Sequence, residues 1–552
     1  LRRTMDFIQS APVLGNQYRD DPVLREMLAR SLPAGVLAAI EGDLDELGAY
    51  AAEAWAEARA REAAEPTLQQ WDAWGGRIDR IDVTPAWRRG AAMTTRYGFV
   101  AAGHESTHGV HARIDQFTRV YLYHVASEFH TCPLAMSDGA ATALKASGAT
   151  ALVERAVPRL LARDPARLWL SGQWMTETAG GSDVARTGTV ARRDRDGAWR
   201  LYGRKWFTSA VVGEMALALA HPAGAGDGTD ALALFLVETR DTHGRWNGIR
   251  IDRLKDKLGT RELPTAEIHL DGALATPVGE PAHGVRLIAP MLNVTRTWNA
   301  VCALATMRRC LALASDYARR REAFGRPLAR QPLHRATLAA LAAEFEAAFH
   351  FVFFVAGLLG RGEQATPGER ALLRVLTPLA KLWTGRLVVR VASETCEAFG
   401  GAGYIENTGI PQLLRDAQVF PIWEGTTNVL ALDVLRALGT DGVDALATEA
   451  RALLAEAGGD RHGIGASLDA ARAWHAARRA SRDALEAGAR GFALTLARAF
   501  AAAVLARHAA WATRERGDRR ASAALDAFAA AGLSRLAAAV DVDALLPDNC
   551  AP

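Results

Sequence analysis

The hydrophobic pattern of this chain changes period twice, which restricts it to a few architectures. From about Asp21 to Leu168 apolar residues recur three and four apart, as in "LDELGAYAAEAWAEARARE" and "TPAWRRGAAMTTRYGFVAA", and this predicts helices. From Trp169 to about Gly272 the stretches "WRLYGRKWFTSA", "ALALFLVE" and "TAEIHLDG" read as short strands between Gly and Asp turns. After Gly284 the helical period returns in long segments: one to about residue 321, then Pro332 to Leu359, then Gly368 to Phe399. A last one ends near Arg436, after the glycine-rich "FGGAGYIENTG". Four apolar-striped helices with short connections predict an antiparallel bundle. From Thr440 a further Ala- and Arg-rich helical stretch, broken at "AGGDRHGIGAS", reads as an appended helical domain. At 552 residues the chain is too long for one core. The predicted fold class is therefore α+β, mostly α. It divides into an N-terminal helical domain (1–168), a middle β domain (169–278), a helical bundle (279–438) and a C-terminal helical extension (439–552).

Composition narrows the function. A hydrophobic fraction of 49% with 23% charged residues belongs to a globular protein, and a net charge of +3 gives no global grip on nucleic acid. The five cysteines, 132, 302, 310, 396 and 550, form an odd set without a close pair, which predicts neither a disulfide framework nor a thiolate metal cluster and fits a reducing cytoplasm. The most apolar run, "FHFVFFVAGLLG", is too short to cross a bilayer, so no membrane partner is expected. The segment His104-Glu105-Ser106-Thr107-His108 matches the pattern by which two histidines on one helix turn bind zinc. The next histidine, His111, is three residues on, whereas the longer pattern asks for six, and no metal is expected.

Four segments carry chemistry. In "QWMTETAGGSDVARTGT" (173–189) small residues let backbone approach a ligand, and Thr176 and Ser182 offer hydroxyls. In "GRKWFTSA" Trp206 and Thr208 stand two apart, on one side of a strand, where an aromatic face beside a hydroxyl suits a flat heterocycle or a core. In "RREAFGRPL" Arg321 and Phe324 are spaced by one helical turn before Gly325, a pair suited to a pyrophosphate or a ring, or else one solvated and one core residue. In "RDAQVFPIWEGTTNVLALDVLRALG" Glu424 follows an apolar run just before a helix. Apolar surroundings raise a carboxyl's pKa and make it a better base, although a helix-start acid is also common.

In this order the four segments resemble the acyl-CoA dehydrogenase family of flavoproteins over roughly residues 80–437. Within it the stretches "VTPAWRRG", "CPLAMSDGAATAL", "RLKDKLGTRE", "RQPLHR" and "IWEGTTNVLALDVLRALG" resemble the AidB-like branch. The resemblance implies an N-terminal helical domain, a middle β-barrel and a four-helix bundle. It implies α,β-dehydrogenation of an acyl-CoA thioester, with Glu424 as the α-proton base and hydride transfer to N5 of FAD. Met175, Thr176, Gly181, Ser182, Trp206, Thr208, Thr426 and Asn428 match flavin-lining positions. Arg321, Phe324 and Gly401 match residues that reach the ADP half of FAD in a neighbouring subunit, which implies a homo-oligomer, a tetramer above all. Ser182 and Arg296 match positions on the substrate side, and the electron acceptor is a flavoprotein or oxygen. Two positions depart from the common pattern: Glu397 stands where Gln is usual before the glycine pair, and Asn293 where Asp is usual three residues before Arg296.

The AidB-like branch also brings an alternative, a flavoprotein of the DNA alkylation response that binds DNA through its C-terminal domain. From Asp441 onward, however, fourteen Arg are balanced by fourteen Asp and Glu, with no Lys. A DNA-binding module is basic on one face, and the enzymatic reading is favoured over DNA as a partner.

Overall fold

The computed structural model describes residues 9–60, 64–226, 228–439 and 443–537; Cys550 and the domain junction at residue 440 fall outside them. The N-terminal part is built from α1 (Pro22–Ser31), α2 (Ala34–Ala60), a hairpin of β1 (Thr67–Trp71) and β2 (Arg77–Asp82), and α3 (Pro85–Tyr97), α4 (Ala112–His124), α5 (Thr131–Ser147) and α6 (Thr150–Leu160). The hairpin departs from the expected all-helical start. Its strands "TLQQW" and "RIDRID" hold few apolar residues, so no period announces them. Buried Asp79, at φ 44°, fastens it to the middle domain by accepting from Ile251 N at 3.0 Å, and its carbonyl accepts from Trp246 Nε1 at 3.0 Å.

The middle strands are β3 (Ser171–Trp174), β4 (Val190–Arg193), β5 (Trp199–Ser209), β6 (Met215–Pro222), β7 (Ala233–Glu238), β8 (Ile249–Leu254) and β9 (Thr265–Pro277). The pairings β6–β7, β7–β9, β9–β5, β5–β4 and β4–β6 close on themselves into a barrel, with β3 added to β6 and β8 to β9. Alternate residues point inward, and Trp174, Leu201, Phe235, Ile251 and Ile268 fill the interior.

The chain then enters α7 (Gly284–Arg320), a small hairpin of β10 (Glu322–Ala323) and β11 (Arg326–Pro327), α8 (Pro332–Gly360), α9 (Pro367–Ala398), the short α10 (Ile410–Ala417) and α11 (Thr427–Leu438). α9 starts with a full capping box between Thr366 and Glu369, with Pro367 in the first turn. The C-terminal extension is α12 (Asp444–Glu456), α13 (Ile464–Arg478), α14 (Arg482–Arg516) and α15 (Arg520–Ala530). It docks along the bundle, with α14 lying against α8, α9 and α11. Across that seam Arg498 Nη1 donates to both Glu344 carboxylate oxygens, at 3.0 and 2.7 Å, and both side chains are almost wholly buried. Two helices, Pro332–Gly360 and Arg482–Arg516, are long and apolar enough to cross a membrane by length and composition, which the reading of the shorter apolar run did not anticipate. Most of each is buried inside the protein, where their apolar faces build the core of the bundle.

Candidate active site

Glu424 sits in the turn that leads into α11, at φ 56°, with Gly425 after it at φ 103°. A non-glycine residue in the left-handed region needs its surroundings to hold it there. Three side chains do so. Thr295 of α7 donates its hydroxyl to Glu424 Oε2 at 2.6 Å. Arg296, next along the helix, donates to the Glu424 carbonyl at 3.3 Å. Lys381 of α9 donates its ammonium to the Gly425 carbonyl at 2.5 Å. Burial pushes the Glu424 carboxyl above its ordinary value, while the Thr295 bond and the Arg296 and Lys381 cations work against that rise. Burial likewise brings Lys381 down to about 7.

Arg296 is itself anchored, 2.8 Å from Asp433, which also pairs with Arg374 at 2.7 Å. Burial alone would raise Asp433; the two guanidiniums hold it below the usual carboxylate range. Arg296, expected on the substrate side, is almost wholly buried and engaged with the Glu424 carbonyl and Asp433. Apolar walls complete the surroundings: Phe129, at φ 61°, meets Trp423 edge-on at 6.2 Å between centroids.

The segment 173–189 and β5 lie side by side. The Trp206 amide donates to the Thr176 carbonyl at 2.9 Å, while residues 181–183 of the loop are exposed. Gly181 packs so closely that a Cβ there would stand 3.1 Å from Thr176 Cγ2. Beneath the loop lies an ion pair that the sequence reading did not anticipate. Fully buried Lys205 reaches Glu177 at 2.6 Å and the Leu219 carbonyl at 2.9 Å, and Glu177 also accepts from Gly188 N at 2.7 Å. Met175 is buried and Ser182 exposed. Thr208 is buried and donates to the Ala266 carbonyl at 2.7 Å, beyond an irregularity in the β5–β9 register, whereas Trp206 stays partly exposed with the Lys255 ammonium 3.0 Å from a ring centroid. Thr426 and Asn428 are exposed at the start of α11.

Two expectations change. Arg321 and Phe324 do not share a helical turn: α7 ends at Arg320, and Phe324 and Gly325, both at positive φ, form the tip of the β10–β11 hairpin. Phe324 is 97% exposed, and Gly401 lies on an exposed turn after α9. The zinc-like segment is not an α-helix but an irregular turn between two 3₁₀ turns, Ala101–Gly103 and Gly109–His111. His104 pairs with buried Asp138 at 2.7 Å and Glu105 with Arg163 at 2.6 Å, so their side chains serve ion pairs.

The site thus has two parts, a carboxylate turn held by hydrogen bonds from Thr295, Arg296 and Lys381, and an exposed glycine-rich barrel loop beside a partly exposed tryptophan. The chain belongs to the acyl-CoA dehydrogenase family and is an oxidoreductase of that family. It matches the family's C-terminal domain over residues 282–439, its middle domain over 172–273, and the adaptive response protein AidB N-terminal domain over 9–165. It is 43% identical over 446 residues to acyl-CoA dehydrogenase family member 11 of Caenorhabditis elegans, covering 79% of this chain and 72% of that one. The crystal structure of that nematode protein, ACDH-11, in complex with C11-CoA superposes with a TM-score of 0.91 at 36% identity, over 97% of this chain and 94% of that one. The putative acyl-CoA dehydrogenase AidB of Escherichia coli is 35% identical over 397 residues, 70% of this chain and 71% of its own. A Bacillus anthracis acyl-CoA dehydrogenase complexed with FAD shares the fold, with a TM-score of 0.68 at 19% identity over 81% of each chain. Members of the family bind FAD. Helices α12–α15 lie beyond the matched C-terminal domain.

Proposed function

We propose that this chain is an FAD-dependent acyl-CoA dehydrogenase in which Glu424 removes the α-proton of an acyl-CoA thioester. The observation that carries the reading is the Glu424 carboxylate held at positive φ by Thr295, with Arg296 and Lys381 on the two successive carbonyls. A base for a weakly acidic carbon needs a raised pKa and a fixed direction; burial supplies the first and the three donors the second. The Glu424 amide is the group we assign to the thioester oxygen, where it stabilises the charge that develops as the proton leaves. The barrel loop fits a flavin: it is exposed, free of bulky side chains at Gly180 and Gly181, and flanked by the partly exposed Trp206. Met175, Thr176, Gly181, Ser182, Trp206, Thr208, Thr426 and Asn428 are the residues we assign to it. The chemistry FAD supplies when bound is acceptance of the β-hydrogen as hydride at N5. Phe324 and Gly401 are exposed, which supports a role of Arg321, Phe324 and Gly401 towards a neighbouring subunit's FAD in a tetramer. Arg296 acts in this reading through the base turn, and Ser182 remains assigned to the substrate side.

The arginine clusters of the C-terminal extension support the enzymatic reading over DNA binding. Arg472, Arg482, Arg514 and Arg520 each pair with a carboxylate, and Arg478 and Arg516 stack on Trp474 and Trp511. The test is anaerobic bleaching of the flavin by a panel of acyl-CoA thioesters. Glu424→Gln abolishes bleaching by a productive thioester while leaving FAD bound; unchanged bleaching refutes the assignment of the base.

A further inference from the structure

Between Val294 and Met307 every residue of α7 is buried. The polar side chains of that stretch are engaged in nearly every case. Thr295 bonds to Glu424, Arg296 to Asp433 and Trp298 Nε1 to Asp138, and the Thr297 and Thr306 hydroxyls donate to helix carbonyls. Asn299 differs. It is 5% exposed, and neither its Oδ1 nor its Nδ2 has a hydrogen-bond partner. It lies four residues after Thr295, so the two share a face of the helix, with Cβ atoms about 5–6 Å apart. The carboxamide thus stands one helical turn from the threonine that touches the proposed base.

A buried donor or acceptor left without a partner is destabilising, because the water it gave up is not replaced. A plain hydrocarbon tail passing Asn299 would leave both atoms unpaired, whereas an oxygen on that tail would satisfy one or both. Sites built to hydrogen-bond a substrate hydroxyl discriminate against the analogue lacking it far more strongly than apolar pockets discriminate between alkyl groups. Resting on the acyl-CoA reading above, we infer that Asn299 is a specificity-determining residue that selects thioesters carrying a hydrogen-bonding oxygen on the acyl chain, about one helical turn beyond the reacting carbons.

The experiment compares hexanoyl-CoA with the same thioester bearing a hydroxyl on its fifth or sixth carbon. Dissociation constants are measured by calorimetry on FAD-loaded Glu424→Gln protein, so that binding is read without turnover. At least one hydroxylated thioester should bind about tenfold or more tighter than hexanoyl-CoA, and adding Asn299→Leu should erase or reverse that ratio. Equal ratios with and without Asn299→Leu overturn the inference while leaving the acyl-CoA reading intact. Failure of every thioester to bind overturns the acyl-CoA reading, and this inference with it. A ligand-free readout accompanies these: Asn299→Leu should raise the melting temperature, because it removes unpaired polar atoms. A fall would show that ordered water already satisfies the carboxamide, which also overturns the inference.

Discussion

Replacing Thr295 with valine removes one hydroxyl from the base and keeps the shape of the side chain. The bond it deletes, 2.6 Å from Oγ1 to Glu424 Oε2, falls in the short range of O–H···O⁻ bonds. Hydrogen bonds to charged groups contribute about 1.5–3 kcal/mol. The bond favours the ionised carboxylate, so its loss adds to the rise that burial already causes. Only the ionised form takes a proton. The acid limb of kcat/KM for flavin reduction, followed by anaerobic stopped-flow across pH, should therefore move to higher pH in Thr295→Val. Above the limb the rate should recover towards that of the unmodified protein, because a carboxylate without its donor is the stronger base. A uniform loss at every pH would mean that Thr295 orients the carboxylate without tuning it. An acid limb that stays in place or moves down refutes the reasoning.

The seam between the bundle and the C-terminal extension makes two further predictions. Arg498→Ala leaves Glu344 buried without its main partner, which should cost about 3–5 kcal/mol in thermal or denaturant unfolding; Arg498→Met together with Glu344→Gln should lose much less, and equal losses would refute the ion-pair account. His508 and His350 face each other there at 3.8 Å between ring centroids, among Arg30, Glu26, Glu346 and Arg520, and burial with the neighbouring cations pushes His508 down to about 3. A folded pKa below the unfolded one, near 6.5, means that stability is complete above about pH 6.5 and is lost as pH falls towards 3. His508 alone accounts for about 2 kcal/mol at pH 5. Glu346, raised by burial to about 7, opposes this as pH falls from 7. His508→Gln should therefore flatten the acid side of a stability-versus-pH curve by about 2 kcal/mol, and an unchanged acid side would show that the imidazole titrates normally.

What was legible in the sequence depended on whether a residue's role is local. Glu424 could be picked out because its apolar run, its helix start and its spacing from the glycine patch are all visible in one stretch. The four long helices could be read for the same reason, and their ends fell within a residue or two of expectation: Pro332–Gly360 and Pro367–Ala398 against Pro332 to Leu359 and Gly368 to Phe399. Arg321 and Phe324 were misplaced because a three-residue spacing fits both a helical turn and the two ends of a tight hairpin tip. The positive φ of Phe324 and Gly325 decides it. The β1–β2 hairpin was invisible because its strands are held by backbone pairing and by Asp79, neither of which leaves a hydrophobic period. Thr295 and Lys381 escaped notice because each acts on Glu424 or Gly425 from a distant helix, and no spacing along the chain reports such a contact.

One compositional signal did mark Lys381. The chain has five lysines, and four of them, Lys205, Lys255, Lys257 and Lys381, have their ammonium groups turned inward. Lys205 secures the barrel loop, Lys255 covers Trp206, Lys257 donates to the Thr260 and Leu263 carbonyls, and Lys381 holds the base turn. Arginine supplies nearly all the surface positive charge, so lysine is retained where its chemistry differs from that of arginine. An ammonium is a compact point donor that can fasten a single carbonyl, whereas a planar guanidinium asks for a two-oxygen partner. That division is visible at the proposed base itself. Arg374 takes both oxygens of Asp433, Arg296 divides its nitrogens between Asp433 Oδ2 and the Glu424 carbonyl, and Lys381 closes on Gly425 O alone. Lys381→Arg is on this argument not a conservative change, since the larger fork would have to displace the turn that carries Glu424.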